Sequence, residues 1–213
     1  MVAWPSWAVE AVITKGKLSD RDFYRIVACA APPGQQCQKP VLRWDSDAAK
    51  DLTIRITETQ GEITTRRLSA VQSALRNAVD QINGVGAGVK LRLIQSGAPD
   101  ISVVVLEEGF TGLRDRARSI DDIFVLGSAA AMAEVFTRRG SPRIQSGKVT
   151  MTGLVDNRRL ASVMLEEVVQ ALGLLTDIHN GYYHTRSIFS ETGGRVKRLR
   201  GQDAMALRTH YPN

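Results

Sequence analysis

Two adjacent carboxylates and an amide stand inside an apolar run, Leu160-Ala-Ser-Val-Met-Leu-Glu-Glu-Val-Val-Gln-Ala-Leu-Gly-Leu-Leu-Thr-Asp177. Glu166 and Gln170 are four apart, so on a helix they share one face. Glu167 lies about 100° round from Glu166 and borders the same region. Charged groups are seldom placed in such a run without a partner. Oxygen donors suit Ca²⁺ or Mg²⁺, but those ions want about six or more. Glu166, Gln170 and Asp177 supply part of such a shell, and His179 and His184 follow in the next loop. Acid–base work across a sugar needs two carboxyls about 5 to 9.5 Å apart. Adjacent residues on one helix point in different directions, which argues against Glu166 and Glu167 as that pair. Ser162 and Ser190 lie outside any nucleophile-elbow pattern, so serine hydrolase chemistry has no support.

Each of these residues also has a plain structural reading. Glu167 would hydrogen-bond backbone or an arginine, and Gln170 would be a satisfied core amide. His179 and His184 would be surface residues of a polar loop. Tyr182, Tyr183 and Phe189 are candidates to line a cleft, although Phe189 reads first as core.

The run that carries the carboxylates reads as a buried helix, with Asp156-Asn157 before it and Gly173 where it would end or turn. Alternation and β-branching place strands at residues 51–56 and 89–94. Residues 99–106 form a more continuous apolar stretch, as expected of a strand covered on both faces. Between the first two strands, Leu68, Val71, Leu75, Ala78, Val79 and Ile82 repeat at helical spacing over residues 64–82, with Asn83-Gly84 as the stop. Ser19 opens an earlier helix with Asp22 at its third position, a capping-box pattern. Residues 8–13 read as a short helical stretch, and Trp4 and Trp7 as anchors on the body. Residues 123–126 read as a short strand, 129–138 as a helix with Met132, Val135 and Phe136 inward, and 148–152 as a strand. A last helix begins at Gly201 and ends before Pro212.

The chain has 213 residues, 43% apolar and 23% charged, which is ordinary for a globular protein. Nothing approaches the ~18 consecutive apolar residues of a membrane span. The start, Met1-Val-Ala-Trp-Pro-Ser-Trp, lacks the basic and apolar regions of a signal peptide. The net charge is +6, which suits an acidic partner. The basic residues are scattered, however, and the densest run, residues 195–200, comes without any nucleic-acid-binding motif. That argues against nucleic acid as the partner. Cys29 and Cys37 flank Ala-Ala-Pro-Pro-Gly-Gln-Gln, a turn that can bring them within disulfide reach. A disulfide implies an oxidising compartment; the alternative is two free thiols in a cytosolic protein.

The order of elements, with several fragments in register, resembles the zincin metallopeptidases, particularly their matrixin-like branch. The family signature is H-E-x-x-H-x-x-G-x-x-H, then a methionine turn, then a closing helix of the form L-T-x-x-D-x-x-A-L-x-x-L-Y. The matching stretches here are Glu166-Glu-Val-Val-Gln-Ala-Leu-Gly-Leu-Leu-Thr176, Ser187-Ile-Phe-Ser190 and Leu199-Arg-Gly-Gln-Asp-Ala-Met-Ala-Leu-Arg-Thr-His-Tyr211. Trp44 before Leu52-Thr-Ile-Arg also looks like the entry to the first zincin strand. The resemblance places the metal-ligand positions at Glu166, Gln170 and Thr176, with Asp177 beside the last. It places the general base at Glu167 and the methionine of the turn at Phe189. The base and Gly173 match, and all three histidines are absent. The pattern E-E-x-x-Q-x-L-G-L followed by Asp also resembles a family of uncharacterised bacterial envelope proteins.

These readings imply an α+β, zincin-like domain over residues 44–213, in which a twisted mixed sheet packs on a long helix and a central motif helix, with a C-terminal helix. Residues 1–43 form a helical extension stapled by Cys29–Cys37. The expected function is a catalytically degenerate protein of the periplasm or a secreted one, without a cofactor, binding a peptide, wall component or partner protein. A cytoplasmic location remains compatible with two free thiols. The competing expectation is a hydrolase with zinc or another divalent cation at a non-standard site of Glu166, Gln170, Asp177 and the two loop histidines, with Glu167 as base. Neither reading specifies an oligomeric state.

Overall fold

A computed structural model describes residues 11–107, 130–193 and 195–213. The elements in order are β1 (Ala11–Ile13), α1 (Asp20–Cys29), β2 (Arg43–Trp44), a 3₁₀ turn (Ala48–Asp51), β3 (Leu52–Gln60) and α2 (Thr65–Gly84). There follow β4 (Leu91–Leu93), β5 (Ile101–Leu106), β6 (Ala131–Thr137), β7 (Arg143–Met151), α3 (Leu160–Gln170), β8 (Asp177–His179) and α4 (Gly201–His210). The fold is mixed α/β, with strands mostly parallel, in place of the expected α+β class. Its main sheet runs β2-β7-β5-β3-β4, all parallel, with β6 added antiparallel to β7.

The apolar patterns explain most of this. In β5, Ile101, Val103 and Val105 are buried on one face and Val104 and Leu106 on the other, so the continuous apolar run is a strand covered on both sides. The α2 stripe is buried from Val71 to Ile82, and α2 packs on α3. Thr64 caps α2 by accepting from the Arg67 N–H at 3.2 Å. Ser19 caps α1 in the same way, accepting from the Asp22 N–H at 3.1 Å.

Two single elements also differ from expectation. Residues 131–137 form a strand, not a helix: Ala133 lies opposite Val149 and Val135 opposite Gly147 on β7. Met132, Val135 and Phe136 have helical spacing, yet Phe136 is exposed. Pairing across the sheet overrides so weak a local pattern. Ala11–Ile13 is likewise a strand, paired parallel with Asp177–His179, because β8 offers its backbone groups there. The expected strand at 123–126 and the anchors Trp4 and Trp7 lie outside the described residues.

Cys29 and Cys37 form a disulfide, with Cα atoms 5.2 Å apart. It closes the loop after α1, and α1 packs on α4. Phe23 of α1 meets Tyr183 at 5.3 Å and Phe189 at 6.1 Å between ring centroids. No helix among the described residues is long and apolar enough to cross a membrane.

The central run stops being helical at Gln170. Gly173 adopts φ +101°, and a Cβ there would fall 2.1 Å from the Leu42 carbonyl oxygen, so only glycine fits. This turn sends the chain back as β8, which sets Asp177 beside the end of α3.

Candidate functional site

α3 packs on α2 and lies against β6, which sets the carboxylates beneath the edge of the sheet. Glu167 is 7% exposed. Its carboxylate accepts a hydrogen bond from the Ala133 N–H on β6, while its Oε2 is buried with no partner among the described residues. Gln170 is also buried, and its Nε2 donates to Asp177 Oδ1 at 3.0 Å. The four-residue spacing on α3 and the Gly173 turn thus bring Glu166, Glu167, Gln170 and Asp177 into one cluster.

The electrostatics follow from burial and like charge. Desolvation, then the Asp177 charge, pushes the Glu167 carboxyl up to about 8. Asp177 is pushed up to about 7, by desolvation and then by Glu191, and the Gln170 amide partly opposes this. Glu166, half-buried, is raised well above its ordinary range, by desolvation first and then by Asp177 and Glu167. At neutral pH the cluster therefore holds protons that isolated carboxylates would release. It can donate or accept protons at a buried surface.

The other expected site residues point elsewhere. His179 is half exposed and pairs through Nδ1 with Glu191 Oε2 at 2.5 Å. His184 is exposed, with its Nδ1 3.2 Å from Thr192 Oγ1. Tyr182 carries the Arg186 guanidinium 4.6 Å above its ring. Tyr183 is buried; its hydroxyl accepts from the Leu18 N–H at 2.9 Å and donates to Gln202 Oε1 at 2.7 Å. Phe189 is fully buried. Tyr183 and Phe189 thus lie in the core, and only Tyr182 of the three reaches the surface.

A zinc site of the peptidase kind needs three neutral imidazoles and an open position. The side chains present do not fit it: the Gln170 amide turns its nitrogen to Asp177, His179 at the end of β8 pairs with Glu191, and His184 with Thr192. Among the described residues no group of three or more His, Cys, Asp or Glu side chains is placed to hold a metal ion.

Asp203 and His210 are buried as well, and neither has an expected role from the sequence. Asp203 is 1% exposed and accepts from Ser187 Oγ at 2.6 Å and the Ile188 N–H at 3.0 Å. Its position in the closing-helix pattern was the available signal. His210 donates from Nε2 to the Leu42 carbonyl at 2.9 Å, so its Nδ1 is left to accept from Tyr24 Oη at 3.3 Å. Burial, helped by Arg43, lowers this imidazole to about 3 and keeps it neutral. Nothing in the sequence marks it. Compared with known proteins, the chain matches no family model and no curated protein sequence.

Proposed function

We propose that this chain is a degenerate zincin-like protein of the bacterial envelope, binding an extended peptide along β6 without cleaving it. The carrying observation is Glu167, buried under the edge strand, hydrogen-bonded by Ala133 and left with an unpartnered oxygen. That places an unsatisfied polar group beside a strand which, among the described residues, pairs only with β7. A strand edge of this kind accepts an extended chain by main-chain hydrogen bonds, here through edge groups other than the Ala133 N–H, which Glu167 already takes. A wall component or a partner protein presenting a strand would use the same edge.

Several features support the zincin reading. A twisted sheet that is parallel except for β6, packed beside the long α2 and followed by α3 as the motif helix, is in keeping with the mixed sheet and central helix that the resemblance implies. Two of the quoted fragments also touch: Asp203 of the closing helix grips Ser187 and Ile188 of the turn. The disulfide is compatible with a compartment outside the cytoplasm. The missing imidazoles and the Gln170–Asp177 hydrogen bond argue for binding over hydrolysis.

One observation favours the runner-up, a hydrolase with a non-standard metal site. The Glu167 carboxyl, pushed to about 8, is poised for acid–base work near neutral pH. Elemental analysis of protein purified without added metal separates the two readings. Stoichiometric zinc, lost together with peptidase activity in Glu167→Ala, would overturn the binding reading. For the binding itself, linear peptides selected by display should slow amide exchange at residues 131–137. Slowing confined to any other segment would refute the edge-strand mode.

A further inference from the structure

A pocket of about 990 Å³ opens at the N-terminal ends of the strands, where Arg43, Lys50, Lys90 and Arg143 meet the end of α4. It is distinct from the carboxylate cluster. Arg143 begins β7, and Val149, opposite Ala133, lies six residues on, about 20 Å along the strand. The volume lies in the range of small-molecule sites.

Three observations bear on its occupant. Arg43 and Arg143 are direct partners in the parallel register of β2 and β7, and like charges directly opposite each other are unfavourable. Among the described residues one acidic side chain, Asp45, lines the pocket against four cations; it pairs with Arg143 at 2.9 Å. Arg43 donates to Tyr24 Oη, Lys50 pairs with Asp47 and Lys90 donates to the Asn83 carbonyl. A guanidinium has five donors and an ammonium three, so each cation retains free donors.

The walls are hydrogen-bonded to one another and largely apolar. Tyr211 Oη donates to the Leu172 carbonyl at 2.7 Å and accepts from the Trp44 N–H at 3.1 Å, while the Trp44 indole donates to the Ala171 carbonyl at 3.1 Å. Gly88 donates to the Tyr211 carbonyl at 2.7 Å, and a Cβ there would sit 2.4 Å from the Pro212 oxygen. Val41, Ala87 and Pro142 complete the apolar lining.

We propose that this pocket binds a small phosphate monoester with an apolar or aromatic body. The dianionic head lies between Arg43 and Arg143, with Lys50 and Lys90 at the rim, and the body rests on the Trp44–Tyr211 floor. A dianion relieves the opposed arginines, and guanidinium forks match phosphate oxygens.

The test is calorimetric titration with 1-naphthyl phosphate, inorganic phosphate and 1-naphthol. Naphthyl phosphate should bind saturably, more tightly than either fragment, and more weakly as salt rises. The Arg143→Gln/Lys50→Gln variant should weaken it about tenfold or more, with Lys90→Gln as a milder second variant. Arg76→Gln, on α2 outside the pocket, should leave affinity unchanged. Melting temperatures confirm that the variants fold. The proposal is overturned by no saturable binding, by naphthol binding as tightly, or by equal affinity for inorganic phosphate with no loss in the charge variants. Vesicles containing phosphatidate carry the same head group; binding to them but not to naphthyl phosphate would also overturn the small-molecule site.

Discussion

Asp203 and Glu167 are both buried carboxyls, 1% and 7% exposed, and desolvation drives both towards neutrality. Their surroundings differ. Asp203 receives two short hydrogen bonds, from Ser187 Oγ and the Ile188 N–H, and so ties α4 to the loop after β8. Glu167 receives the Ala133 N–H and leaves one oxygen unpaired. A carboxyl kept for architecture is saturated with donors, because an unmet buried acceptor costs about 1–3 kcal/mol. A carboxyl with an oxygen unmet by the described residues carries that cost unless a water, an ion or a bound group meets it.

The largest expected effect tests the first half of that contrast. Asp203→Ala strands the Ser187 hydroxyl and the Ile188 N–H in the core and should cost about 3 kcal/mol, read from urea denaturation. A loss no greater than that of an ordinary surface substitution would show that Asp203 is not a structural tie.

Gln170→Leu probes the link between the two regions. It removes the donor to Asp177 Oδ1 while keeping the volume, and should cost about 1–2 kcal/mol by the same measurement. Unchanged stability would mean that the amide does not hold the cluster.

The pH dependence comes next. Asp177 and Asp203 are raised to about 7 and Glu167 to about 8. Each binds its proton more tightly folded than unfolded, so its contribution is full below the ordinary carboxyl range and is lost as pH rises through the folded value. His210, lowered from 6.5 to about 3, works in the opposite direction and gains stability only up to pH 6.5. The melting temperature should therefore fall between pH 6.5 and roughly pH 8. A flat or rising profile there would contradict the raised carboxyls.

The smallest effect is the sharpest for Glu167. Glu167→Gln keeps an acceptor for Ala133 and removes the group that titrates near pH 8. Stability should change by less than about 1 kcal/mol at pH 7, and the decline in melting temperature above pH 7 should flatten. If this variant lost as much as Asp203→Ala, the two carboxyls would be alike, and the argument for an outside partner would fail.

Much of the frame was legible. The α2 stripe, the both-faces-buried β5 run and the Ser19 cap are local patterns whose meaning needs no distant partner. The turn at Gly173 was also visible, although its reason, the Leu42 carbonyl 2.1 Å from a would-be Cβ, was not. β6 was misread because a short apolar stretch with spacings of three and four fits a helix until β7 is beside it. β1 was misread for the same reason, its partner β8 lying far along the chain.

At the candidate site, the sequence alone determined that Glu166, Glu167 and Gln170 share a region of one apolar helix, because helical spacing fixes the direction of side chains. It also determined that no three-histidine set stands at the motif. Only the tertiary structure decided that Asp177 returns to meet Gln170, that Ala133 reaches Glu167, and that His179 and His184 pair with Glu191 and Thr192. It alone placed Arg43 beside Arg143 and buried His210 as a neutral ring. Periodicity carries information over a few residues, whereas burial, pairing register and pKa depend on what the rest of the chain brings alongside.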